Sequence, residues 1–216
     1  MKHILVAVAL VIVCLTPGVS RAAPIFFDAF DVPPETLGLN QTPTQWTVTS
    51  GTVDLIGSSP NFFNVLPGNG GYVDLDGTTP NDAGIMRNNS DLALTGGQLY
   101  ALTFDLAGSQ RGDSNTVTYG ISLLNNTTLD FSGTATRANL AGFSIVTLSF
   151  TPSADTSSAR IIFCQDCNGG GDNIGAVLDN VKLEAVPEPA SLMLLGASLA
   201  GIGIWRRKAT KAEKGV

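Results

Sequence analysis

Between residues 23 and 186 the apolar side chains recur at every second position, in short runs, and almost nowhere at every third or fourth. Residues 99–106 show this best: Tyr100, Leu102, Phe104 and Leu106 fall on one side, Ala101, Thr103 and Asp105 on the other. A strand sends successive side chains to opposite faces, so such alternation marks one buried face and one wet face. The pattern returns at 46–49, which runs through Ser50-Gly51 into 52–56, and at 71–76, 116–123, 143–150, 159–163 and 176–183. Clusters of Gly, Asn, Asp, Ser and Pro, the residues that turn a chain, separate the runs. About eight or nine short strands with no helical periodicity predict an all-β, antiparallel sandwich. A body of this length can bury one self-sufficient core. No internal repeat or second domain is visible. Residues 32–44, rich in Pro and polar groups, are expected to be disordered, and 57–70 to form a long loop.

The two ends depart from this pattern. Met1-Lys2-His3 is a short basic start, residues 4–15 are unbrokenly apolar, Pro17-Gly18 follows, and Ser20 and Ala22 put small residues before Ala23. That plan is a secretory signal peptide over 1–22, too short in its apolar run for a membrane span. Cys14 follows β-branched Val13, so it reads as filling of the apolar run and not as a lipid-attachment site. At the other end, residues 190–205 carry no charge and are followed by Arg206-Arg207-Lys208. A helix over 190–205 rises roughly 24 Å, short for a bilayer core of about 30 Å but able to span a thinned one. The basic cluster would hold 209–216 as a cytoplasmic tail and leave the body, 23–185, outside.

Charge and histidine content narrow the chemistry. Of 12 Lys and Arg only Arg87, Arg111, Arg137, Arg160 and Lys182 lie in the body, against 16 of the 18 acids, a net charge near −11. Such a body repels nucleic acid and anionic membrane surfaces. The single histidine, His3, lies in the signal segment, which excludes Ser-His-Asp and Cys-His catalysis and histidine-ligated zinc.

The C-terminal arrangement resembles a known family. Val-Pro-Glu-Pro-Ala-Ser at 186–191, a short apolar helix ending in Trp205, and then Arg206-Arg207-Lys208 are similar to the PEP-CTERM sorting tail, taken here as 186–208 with Pro187, Glu188 and Pro189 as its motif. The resemblance implies an exosortase-type membrane protease as partner and transient residence in the inner membrane. It also implies delivery to the cell surface or extracellular matrix of an exopolysaccharide-making Gram-negative bacterium. The same resemblance leaves a plain membrane anchor as the alternative.

The body resembles a galactose-binding-like jelly roll, the fold of many carbohydrate-binding modules. The matching blocks are 46–48 with 50–54, then 72–77, 97–104 and 178–181. The resemblance implies glycan binding without catalysis, and a structural calcium ion joining the first strand to the last. Carried over, the calcium ligands would be Asp28 or Asp31 with Asp179. The family position near the start is often Glu, where this chain has Phe27-Asp28 and Phe30-Asp31.

Three further constellations carry candidate chemistry. Cys164-Gln165-Asp166-Cys167 could be a redox pair, half a zinc site or a local disulfide; an oxidising exterior and a position at a strand end favour the disulfide. A sugar site needs an aromatic platform with polar neighbours. Phe62 and Phe63, in a Pro-, Asn- and Ser-rich loop, are the best platform, with Tyr119, Arg87 and Arg111 as further candidates; the opposing reading makes the two Phe a plug at the sandwich end. Trp46, Tyr72 and Tyr100 fall on strand patterns and are expected in the core. A glycosidase needs two carboxylates at a set separation, and no motif isolates a pair among sixteen. Arg111-Gly112-Asp113 is read as a polar hairpin turn. The sequence therefore points to an exported polysaccharide-binding module, with a structural matrix protein, or a hydrolase, as alternatives.

Overall fold

The computed structural model describes residues 23–187, apart from 32–35, 58–62, 80–81, 166 and 168–170. The expected signal peptide, the span at 190–205, the tail at 209–216, and Phe62, Glu188, Pro189, Arg206 and Arg207 lie outside the described residues. Among the described residues no helix is long and apolar enough to cross a membrane.

The described residues form twelve strands: β1 (Phe26–Asp28), β2 (Trp46–Ser50), β3 (Asp54–Gly57), β4 (Gly71–Asp74), β5 (Ile85–Asn88), β6 (Leu92–Leu94), β7 (Tyr100–Ala107), β8 (Asn115–Ser122), β9 (Phe131–Arg137), β10 (Ser144–Phe150), β11 (Thr156–Gln165) and β12 (Val177–Ala185). They make two six-stranded sheets. The first has the order β10-β7-β12-β4-β3, with β1 also on β12; the second has β2-β5-β11-β8-β9, with β6 also on β11. All the strand pairings are antiparallel. The body is thus the all-β antiparallel sandwich that the alternation predicts, in the jelly-roll form that the resemblance implies.

Strands β12 and β11 organise the two sheets. Along one flank β12 meets β7; along the other it meets β4 through Val177 and Leu178, then β1 through residues 181–183. The inward faces interleave aromatic rings. Phe104 of β7 meets Tyr119 at 4.8 Å and Phe163 at 4.9 Å, both edge to face. Trp46 packs on Phe26 at 5.4 Å and on Phe163 at 5.8 Å. Such contacts add to the area they bury, at about 0.5–1.5 kcal/mol per pair.

Four strands, β1, β5, β6 and β9, were not legible as alternating runs. Strand β9 shows why. Its half-buried positions are Phe131, Gly133, Ala135 and Arg137, and two of those are too small to register as apolar. The volume is supplied from across the ladder: a Cβ on Gly133 would come 2.6 Å from the Tyr119 hydroxyl. The expectation of disorder at 32–44 is corrected over 36–44. Gly38 exchanges two backbone hydrogen bonds with Leu55, at 2.9 and 3.0 Å, and this lays the segment along β3. Cys164 and Cys167 are joined by a disulfide at the end of β11.

Candidate functional site

At one end of the sandwich, β3 and β4 place Asp54 and Asp74 directly opposite each other. Both carboxylates are buried. Asp54 accepts from Asn40 N at 2.6 Å, Thr78 N at 3.0 Å and Thr78 Oγ1 at 2.7 Å. Asp74 is ion-paired with Arg111, which arrives from the β7–β8 turn, and accepts from Asp76 N at 3.1 Å. Burial pushes the Asp74 carboxyl up to about 7, with Arg111 opposing that shift and Asp54 and Asp76 adding to it.

These two acids and Arg111 line a pocket of about 110 Å³, together with Leu39, Ile56, Phe63, Val65, Thr78 and Asn173. Phe63 is 60% exposed and sits at φ 43°. Positive φ is costly for a bulky residue and is found where the surrounding structure imposes it, often at ligand clamps. The pocket is small beside the roughly 300–1,000 Å³ of clefts that enclose drug-sized ligands. It offers one aromatic face, a fixed guanidinium–carboxylate pair and short polar side chains.

The structure brings together two of the candidates read from the sequence, Phe63 and Arg111. The others lie elsewhere. Tyr119 is buried against Phe104, under Gly133, so its ring presents no face to a ligand. Arg87 projects from β5 and donates to Asn125 O at 3.3 Å and Asn125 Oδ1 at 3.2 Å. Asp54, Asp74, Thr78 and Asn173 were not singled out as ligand groups. Buried Asp on a strand is uncommon, and Asp54 and Asp74 in otherwise apolar runs were the available signal.

The carboxylates of the calcium set implied by resemblance already take part in hydrogen bonds. Asp28 already accepts from Phe30 N at 2.9 Å through Oδ1 and from Trp46 Nε1 at 2.8 Å through Oδ2. Asp31 Oδ1 accepts from Gly71 N at 3.2 Å, and Asp179 Oδ1 from Asn180 N at 2.6 Å. Among the described residues no three His, Cys, Asp or Glu side chains are grouped to hold a metal ion. Burial, and then the charges of Asp31, Asp105 and Asp28, push the Asp179 carboxyl up to about 7, so protonation relieves part of the charge crowding there.

Comparison with known proteins agrees with the tail and with the fold. Residues 185–208 match the PEP-CTERM protein-sorting motif. No curated protein matches the chain. A cyclase from Fischerella sp. TAU is 16% identical, with a TM-score of 0.55, over 74% of this chain and 94% of its own. The CBM22-1 xylan-binding domain of Paenibacillus barcinonensis Xyn10C is 8% identical, with a TM-score of 0.44, over 80% of this chain and all of its own. The CBM22-1 and GH10 modules of Clostridium thermocellum endo-1,4-β-D-xylanase 10B, complexed with xylohexaose, are 11% identical, with a TM-score of 0.46. That match covers 76% of this chain and 29% of the xylanase chain, so the chain spans under a third of it. At these identities the likeness is one of fold. The chain is therefore similar in fold to that solved cyclase and carries, at residues 185–208, a PEP-CTERM protein-sorting motif.

Proposed function

We propose that this is an exported, non-catalytic polysaccharide-binding protein that an exosortase-type protease delivers to the cell surface or matrix of a Gram-negative bacterium. The sorting motif supports the export half. The observation that carries the binding half is the convergence of exposed Phe63 with the Arg111–Asp74 pair in one pocket. A sugar ring has an apolar face that stacks on an aromatic ring and hydroxyls that need fixed donors and acceptors at its rim. Phe63 supplies the first; Arg111, Thr78 and Asn173 supply the second. A pocket of this size suits one sugar unit at a chain end or branch.

The test is binding of the purified protein to a glycan panel and to crude host exopolysaccharide. Saturable binding, weakened about tenfold by Phe63→Ala with the fold intact, is expected; an aromatic contact of this kind contributes about 1 kcal/mol or more. Absence of binding on every glycan would overturn the reading in favour of a structural matrix protein. One observation favours a third reading, a hydrolase: Asp54 and Asp74 line the same pocket, and glycosidases work with paired carboxylates. Release of reducing sugar by the wild type, lost in Asp74→Asn, would establish it.

A further inference from the structure

Where the chain crosses from β11 in one sheet to β12 in the other, residues 172–176 are gripped by three side chains from three different elements. Asp76, just past β4, accepts through Oδ2 from Asp172 N at 3.0 Å and Asn173 N at 3.1 Å. Asn115, at the start of β8, donates through Nδ2 to Ile174 O at 2.6 Å. Gln165, at the end of β11, accepts through Oε1 from Ala176 N at 2.7 Å. Gly175 permits the close approach: a Cβ there would stand 2.0 Å from Asp74 Oδ1 and 2.4 Å from Asp76 N.

The grip leaves oxygen atoms over. Asp76 Oδ1, Asn115 Oδ1 and Asn173 Oδ1 are buried with no hydrogen-bond partner among the described residues, as is the Gln165 amide nitrogen. Asp76 is 0% and Asn115 4% exposed. The bond from Asn115 Nδ2 to Ile174 O fixes that amide's orientation, so the unpartnered atom is an oxygen. An unpartnered buried acceptor is costly, and three attached to one turn call for a donor or a cation. The local charge favours the cation. Asp54, Asp74, Asp76 and Asp172 stand at this end of the sandwich, and Arg111 is paired to one of them.

We propose that Asp76, Asn115 and Asn173 form a binding site for one hard divalent cation, calcium being the fitting ion. Calcium takes carboxylate and amide oxygens together with water, and needs no cluster of three acids. The site is separate from the Asp28, Asp31 and Asp179 set. It ties two strand ends, one from each sheet, to the 172–176 turn, and Asn173 belongs both to that turn and to the pocket wall. One carboxylate and two amides make a weak site, in the range of extracellular modules at about 10⁻⁴–10⁻³ M.

The test uses the full chain in detergent micelles, with calcium chloride as the probe, followed by calorimetric titration and thermal unfolding. One saturable site in that range, and a midpoint rise of about 3–6 °C at 10 mM calcium over chelator, are expected. Asp76→Asn should remove both effects, whereas Asp179→Asn should keep them. Asn173→Asp, which adds a charge at a position already at φ 67°, should tighten binding by about tenfold, so the proposal stays testable if Asp76→Asn fails to fold. No calcium binding up to 10 mM would overturn the site and assign the orphan oxygens to buried water. So would binding that Asn173→Asp leaves unchanged.

Discussion

Asp54 and Asp74 are cross-strand partners on β3 and β4, yet they are held by different chemistry: three neutral donors satisfy Asp54, while Asp74 depends on the Arg111 guanidinium. Asp74 is the vulnerable partner in this arrangement, because removing the Arg111 side chain strips it of its counter-charge.

Arg111→Ala is therefore expected to destabilise the fold. Breaking a fully buried ion pair costs about 3–5 kcal/mol. The Arg111 side chain is 31% exposed, so about 2 kcal/mol is expected here. Urea unfolding at pH 7 measures it. Adding Asp74→Asn should recover most of the loss, since the double variant leaves no unpaired charge behind; a double variant no more stable than Arg111→Ala would show that lost packing is the cause.

Asp179 sets a pH dependence. Its carboxyl is pushed from 3.8 up to about 7 in the folded chain. The folded state keeps this proton in a range where the unfolded chain has released it. The stabilising contribution is thus complete below about pH 4 and is lost as pH rises to about 7, at up to about 1.4 kcal/mol per pH unit. Asp179→Asn lacks this titration. The variant should gain on the wild type steadily from pH 4 to 7 and hold a constant advantage above that, as read by denaturant midpoints in a pH series.

Trp46→Phe isolates one hydrogen bond. The ring contacts with Phe26 and Phe163 can largely persist, but the Nε1 donor to Asp28 is lost and a buried carboxylate oxygen is left short. A loss of about 1–3 kcal/mol is expected in chemical denaturation. Thr47→Val, on an exposed position of the same strand, should change stability by less than about 0.5 kcal/mol.

Gly133→Ala tests whether β9 is shaped around Tyr119. The new methyl would sit 2.6 Å from the hydroxyl and 2.8 Å from Cζ of that ring. Overpacking of this kind costs about 1–3 kcal/mol. Pairing it with Tyr119→Phe should relieve part of the clash, and a thermal midpoint series on the two single variants and the double variant would show it.

The sequence was legible where a strand carries large residues on its inward face. In β7 the four residues Tyr100, Leu102, Phe104 and Leu106 are all buried, as their spacing demands. Strand β9 escaped notice because Tyr119, from its neighbour, fills the space its own inward residues leave. The pocket was legible only in pieces. The exposure of Phe63 follows from the composition of its loop, but its meeting with Arg111, 48 positions away, depends on which strand ends the sheet order brings together. Alternation reports which way a side chain faces and is silent on which turns share an end of the sandwich. Asp28, Asp31 and Asp179 entered as metal ligands only through the family resemblance, whereas the hydrogen bonds that Asp28 makes are a property of the packed fold.

The sorting motif starts at Ala185, the last residue of β12, and Val186 is still tied to the body by its bonds with Leu99 O and Gln98 Nε2, each 2.9 Å. Because β12 is flanked by ladders on both sides, traction on residues beyond 187 would load those ladders in shear, many bonds at once, instead of peeling a margin strand one bond at a time. Any load carried by this tail thus enters the body through an interior strand paired on both flanks, and not through a strand at the rim of the sheet.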